Sequence, residues 1–151
     1  MSVLSWGKPT VEIGLLAPNG DAPTEWIKLP EIVQDSSQLT TEEGTKLEAI
    51  AEGGDVIDVL QQKNRYSFVC QLFVKKGDTK PVEDNDGVIL GNYAIRLTPE
   101  DATTEGFIMD KTSVNCIETW SSSEGKRWQY KFFGLLPKTG NTLKPYFAPV
   151  G

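Results

Sequence analysis

The sequence predicts a mainly β chain, and three observations carry the prediction. Along its most regular stretches the apolar residues recur with period two, not 3.6. Short apolar runs follow one another with turn-forming residues between them, about eight in all. The length, 151 residues with no composition break, internal repeat or low-complexity tract, is that of one ordinary domain, residues 1–151, able to bury a sizeable core.

The first two runs, 11–16 and 25–29, are read as short strands. After them comes QDSSQLTTEEG, residues 34–44, polar enough to be a long exposed loop. A loop of that length is uncommon in a compact domain unless it is disordered or engages a partner. Runs 46–52 and 56–61 follow, joined through EGGDVIDV at 52–59. A dinucleotide fingerprint needs G-x-G-x-x-G and a P-loop needs G-x-x-x-x-G-K-[ST]; this stretch satisfies neither. Gly53 and Gly54 are therefore read as a tight turn or β-bulge, where positive φ is needed.

RYSFVCQLFVK, 65–75, is the strongest strand. Tyr66, Phe68, Cys70, Leu72 and Val74 share one face, while Arg65, Ser67, Gln71 and Lys75 share the other. A weaker strand is read at 88–97. Thr98 as a cap, Pro99 at the first helical position, Glu100 and Asp101 at the positive end and Gly106 as a stop predict one short helix. VNCIETW and RWQYKF then form a hairpin about Ser121-Ser122-Ser123-Glu124-Gly125. A last strand is read at 143–147. Phe68, Leu72, Trp128, Tyr130 and Phe132 hold the inward positions and are the predicted core.

Chemistry is sparse. Histidine is absent, which removes the commonest general base, the commonest zinc ligand and every Ser-His or Cys-His pair. A carboxylate hydrolase would need two acids converging from separate elements, with Glu48, Asp55 and Asp58 as the candidates. VEDNDGV places Asp84 and Asp86 at the third and fifth positions of a calcium loop, but Val82 and Tyr93 stand where the first and twelfth ligands belong, so it is no EF-hand. Two readings stand there, an irregular calcium site and a solvated hairpin loop with Asx-turn chemistry. Cys70 and Cys116, the only cysteines, lie in strand-like runs and are read as reduced, buried thiols. The net charge of −6 opposes close binding to DNA or anionic lipid. No basic leader and no apolar run of roughly 20 residues is found, so a soluble, unexported chain is expected. Trp6 and Trp26 are read either as core or as exposed anchors for a partner.

The order of the pieces resembles a phage tail tube protein. The resemblance is carried by an N-terminal strand, then EWIKLPEIVQDSSQLT, then TEEGTKLEAIAEGGDVIDV running into RYSFVCQLFVKKG, and a closing GKRWQYKFFGLLPKTGNTLKPY. It implies a β-sandwich or small barrel of antiparallel strands with a flanking helix. It further implies assembly into hexameric rings, stacking of the rings into a tube, and passage of DNA or an effector through the channel without specific binding. Phage-derived injection machines use the same building block. The implied partners are the chain itself and other tail proteins, with no membrane, no enzymatic activity, no cofactor and no metal. The implied location is the virion tail, assembled in the bacterial host cytoplasm. By the same resemblance the early loop reaches a neighbouring ring, through Ser36, Ser37, Gln38, Leu39, Thr40, Thr41, Glu42 and Glu43, with Leu39 as the apolar anchor. The rival from another class is a monomeric β-sandwich binding module, for example for carbohydrate, using Trp6, Trp26 or Trp120.

Overall fold

A computed structural model describes residues 7–101 and 103–147. The period-two runs become β1 (Thr10–Leu15), β2 (Ile27–Lys28), β3 (Gln38–Glu42), β4 (Lys46–Ile50), β5 (Val56–Gln61), β6 (Arg65–Phe73), β7 (Tyr93–Thr98), β8 (Gly106–Ser121), β9 (Gly125–Gly134) and β10 (Lys144–Tyr146). Eight of them form one antiparallel sheet in the order β2-β1-β7-β8-β9-β6-β3, with β10 also on β8; β4 and β5 pair only with each other. A short segment touches both far sides of the large sheet. The Leu29 amide donates to the Val11 carbonyl on β1, and the Val33 amide donates to the Gln71 carbonyl on β6.

Register explains which face is buried. Phe68 lies opposite Phe132, and Phe132 opposite Val114; Cys70, Tyr130 and Cys116 form the next row, and Leu72 and Trp128 continue it. Directly opposed residues share a face, so these rows stack into one core with Ile13, Ile95 and Met109. All five predicted core residues are buried, as are both free cysteines. Burying side chains of this size is worth about 1.5–3 kcal/mol each. The Tyr130 hydroxyl donates to the Val82 carbonyl at 2.8 Å, which meets its polar need and ties the segment after β6 over the core. Burial pushes the Cys70 thiol up to about 12, so this sulfur stays protonated and packs as an apolar group.

The expected short helix is absent: no helix occurs among the described residues. Leu97 pairs with Phe107, so the chain must reverse between them, and two helical turns would carry it away from β8. Asp101 supplies the competing local chemistry. Its carboxylate accepts the Thr103 amide at 3.0 Å and the Thr103 hydroxyl at 2.6 Å, and the Thr104 amide closes on the Asp101 carbonyl. Side-chain bonds of this kind favour a turn over a helix. Gly106 opens β8 rather than ending a helix.

The expected long loop at 34–44 is also corrected. Gln38–Glu42 is a strand, paired with β6 from Gln38↔Val69 to Glu42↔Arg65. Before it, the Ser36 hydroxyl donates to the Val33 carbonyl at 2.7 Å and accepts the Gln71 amide at 3.1 Å. The segment is therefore pinned to the sheet. Thr40 and Thr41 are β-branched and suit a strand, while Leu39 alone was too little apolar signal to reveal the period.

Candidate functional site

The feature that stands apart from the body is built from β4 and β5. It prolongs the β3–β6 pair: the chain leaves β3 at Glu42, runs up β4, turns, descends β5 and enters β6 at Arg65, opposite Glu42. The break between body and arm is held by polar bonds. The Gly44 amide donates to Asn64 Oδ1 at 3.0 Å, the Gln61 side-chain Nε2 to the Gly44 carbonyl at 2.8 Å, and the Gln62 amide to the Thr45 carbonyl at 2.9 Å. A Cβ on Gly44 would lie 2.1 Å from the Gln62 carbonyl oxygen, so only glycine fits at this base.

Turn chemistry closes the far end. Gly53 and Gly54 take φ of 101° and 97°, the positive values expected from EGGDVIDV. The Gly54 amide donates to the Ala51 carbonyl, and the Ala51 amide to Asp55. A bulge at Ala49/Ile50 shifts the register next to this turn. The stretch is thus a tight turn with a neighbouring bulge.

Every residue of β4 and β5 is exposed. Leu47, Ile50, Val56, Ile57, Val59 and Leu60 are all large apolar side chains in water, with Ile57 at 72% and Leu60 at 62% exposure. Register divides them. Leu47↔Leu60 and Ala49↔Asp58 lie on one face, while Glu48↔Val59 and Ile50↔Val56 lie on the other. At about 3.4 Å per residue the arm extends roughly 20 Å beyond its base. Four carboxylates, Glu48, Glu52, Asp55 and Asp58, against the single cation Lys46 make it acidic.

The residues expected to bridge rings lie elsewhere. Gln38, Leu39, Thr40, Thr41 and Glu42 are in β3, Glu43 is exposed just past it, and Ser36 and Ser37 precede it half-buried. Leu39 opposes Phe68 and packs against the chain's own core. In the single chain it is therefore half-buried rather than free. Glu48 and Asp58 occupy opposite faces of the arm, so these two of the acids proposed for hydrolysis do not converge. Among the described residues no three potential ligands gather to hold a metal ion. Asp84 accepts Lys80 Nζ at 2.6 Å and the Gly87 amide at 2.7 Å, which holds the loop through its side chain. The Lys80 bond first, and the Gly87 amide second, hold its carboxyl below the usual carboxylate range. The Trp128 indole donates to Glu118 at 2.9 Å and lowers that carboxyl too, with Lys126 adding to it. Trp26 is half-buried beneath the Arg96 guanidinium, 4.0 Å from its ring centre; Trp6 lies outside the described residues. Sequence reasoning found the arm's two strands but not their lack of cover. The available signal was that KLEAI and VIDVLQ are apolar on both faces while carrying acids.

No protein-family model matches the chain, and no curated protein matches it.

Proposed function

We propose that this chain is the subunit of a tail tube of the phage kind. In this reading copies close into hexameric rings, the rings stack, and DNA or an effector passes through the channel without specific binding. Other tail proteins are its further partners, the virion tail is its place, and the host cytoplasm is where it assembles. The large sheet is read as a small barrel that residues 27–33 close between β1 and β6. The role is structural and requires neither catalyst nor cofactor.

One observation carries the reading: a hairpin of six large apolar side chains stands clear of the body with nothing over it. Monomeric proteins seldom leave both faces of an apolar hairpin in water, and a second protein is the usual cover of such surface. The excess of acid, −6 overall, suits a conduit, because like charge lets DNA slide without sticking. Negative-stain microscopy of the concentrated protein tests the proposal. Rings or rods are expected; a strict monomer at high concentration would remove it. The rival reading, a carbohydrate-binding monomer, rests on Trp120, 70% exposed near the β8–β9 turn. Its result would be that same monomer, retarded on a polysaccharide gel.

A further inference from the structure

The unburied side of the large sheet complements the arm. Across β6, β9 and β8 its rows are Ser67–Phe133–Ser113, Val69–Lys131–Asn115, Gln71–Gln129–Ile117 and Phe73–Arg127–Thr119. Phe73, Phe133 and Ile117 are exposed, so this face is part apolar. Its charge is the reverse of the arm's: Arg65, Arg127 and Lys131 stand against Glu42, which shares the face at its β3 end, and Glu124, which pairs with Arg127 from the β8–β9 turn. Two cations of this face keep unused donors among the described residues. Lys131 has its ammonium 5.4 Å from the Phe133 ring centre and no carboxylate partner. Arg127, stacked on Phe73, pairs through a terminal nitrogen with Glu124 at 3.4 Å, while its buried Nε has no hydrogen-bond acceptor. A buried donor in this state is costly, and an incoming carboxylate would satisfy it.

We infer that the arm of one copy docks on this face of the next copy, with the Leu47/Leu60 side inward and Asp58 meeting Lys131. The inference rests on the tube reading and names the surface that the arm covers. Asp58 is the only carboxylate on the leucine face of the paired strands, so it is the one that docking strips of water. A cation must then stand opposite it. Arm and receiving face are different patches, which makes the contact heterologous. Such contacts repeat from copy to copy and close into rings or run on as filaments.

The test uses two full-length variants, each broken on one side of the contact. Leu47→Asp/Leu60→Asp spoils the arm but leaves the face; Lys131→Glu spoils the face but leaves the arm. By sedimentation velocity each alone should be monomeric, and an equal mixture should give a one-to-one pair, because one good arm and one good face remain. A mixture that stays monomeric while both variants keep the wild-type melting curve overturns the inference. Charge exchange is the second arm of the test. Asp58→Lys or Lys131→Asp alone should weaken self-association by about tenfold or more, and the double variant should recover most of it. Wild-type rings that persist unchanged in both single variants would remove this docking surface while leaving the tube reading standing. A wild-type chain that never associates would remove both.

Discussion

The β8–β9 hairpin and the β4–β5 arm are built from similar material and have opposite fates. Both are antiparallel pairs rich in apolar residues, joined by a short glycine-containing turn. In the first, Val114, Cys116, Tyr130 and Phe132 fall on one face and are buried, while Ser113, Asn115, Gln129 and Lys131 take the other. In the second, apolar residues sit on both faces, interleaved with acids, and none is covered. Strict alternation assigns a strand to its own core. An apolar pair without alternation has no side to give to water, and the tube reading assigns the cover of this one to a second copy.

The largest expected effect separates the two hairpins by stability. Phe132→Ala leaves a cavity where exposure is 0% and should cost about 3–5 kcal/mol. Leu60→Ala, removing a comparable apolar side chain from the arm, should change the monomer's stability by no more than about 0.5 kcal/mol. Chemical denaturation of both variants under monomeric conditions checks the pair, and equal losses would break the comparison.

Leu39→Asp comes next. Leu39 sits in the edge strand and packs on Phe68's side of the sheet, so a carboxylate there should cost about 2 kcal/mol. It should damage folding before it damages assembly, and circular dichroism at low concentration reads this directly. A variant that folds normally yet fails to associate would return Leu39 to the role of an anchor.

Gly53→Val should strain the turn by about 1–3 kcal/mol, because φ near 101° is hostile to a β-branched side chain. Nothing lies within 4 Å of the added Cβ, so the penalty is purely conformational. Since β4 and β5 pair only with each other, the cost should appear as local opening. Amide exchange at Ala51 and Gly54 should quicken while the body's melting temperature holds. A fall in that temperature equal to the whole penalty would mean that arm and body unfold together.

The smallest expected effect is electrostatic. Asp84 has a carboxyl lowered by Lys80 and the Gly87 amide, so the folded state holds its charge more strongly than the unfolded chain does. Its contribution is present above the usual carboxylate pKa, near 3.9, and is lost as pH falls through the lowered value. A melting series from pH 6 down to pH 2 should show a steeper decline for the wild type than for Asp84→Asn.

The alternating strands were the legible part of the fold. In RYSFVCQLFVK and RWQYKF the inward residues could be named because polar neighbours mark the other face. The first half of β8, GFIMDKTS, was not legible, since its apolar residues cluster instead of alternating and a proline-acid start beside it imitated a helix. β3 was hidden because pairing with β6, not its own composition, makes it a strand. For the site, Gly53 and Gly54 announced their turn. In LEAIAEGGDVIDVLQ the one signal of missing cover is that apolar residues occupy both faces among acids; what would cover them is not written there, because burial by a second copy leaves the same apolar signature as burial in the chain's own domain.

Sedimentation velocity of the wild type and of Leu47→Asp/Leu60→Asp, at matched high concentration and with matched melting curves, tests the central claim most directly. The account predicts large assemblies for the wild type and a folded monomer for the variant. A wild type that stays monomeric, or a variant that assembles as readily as the wild type, would contradict it.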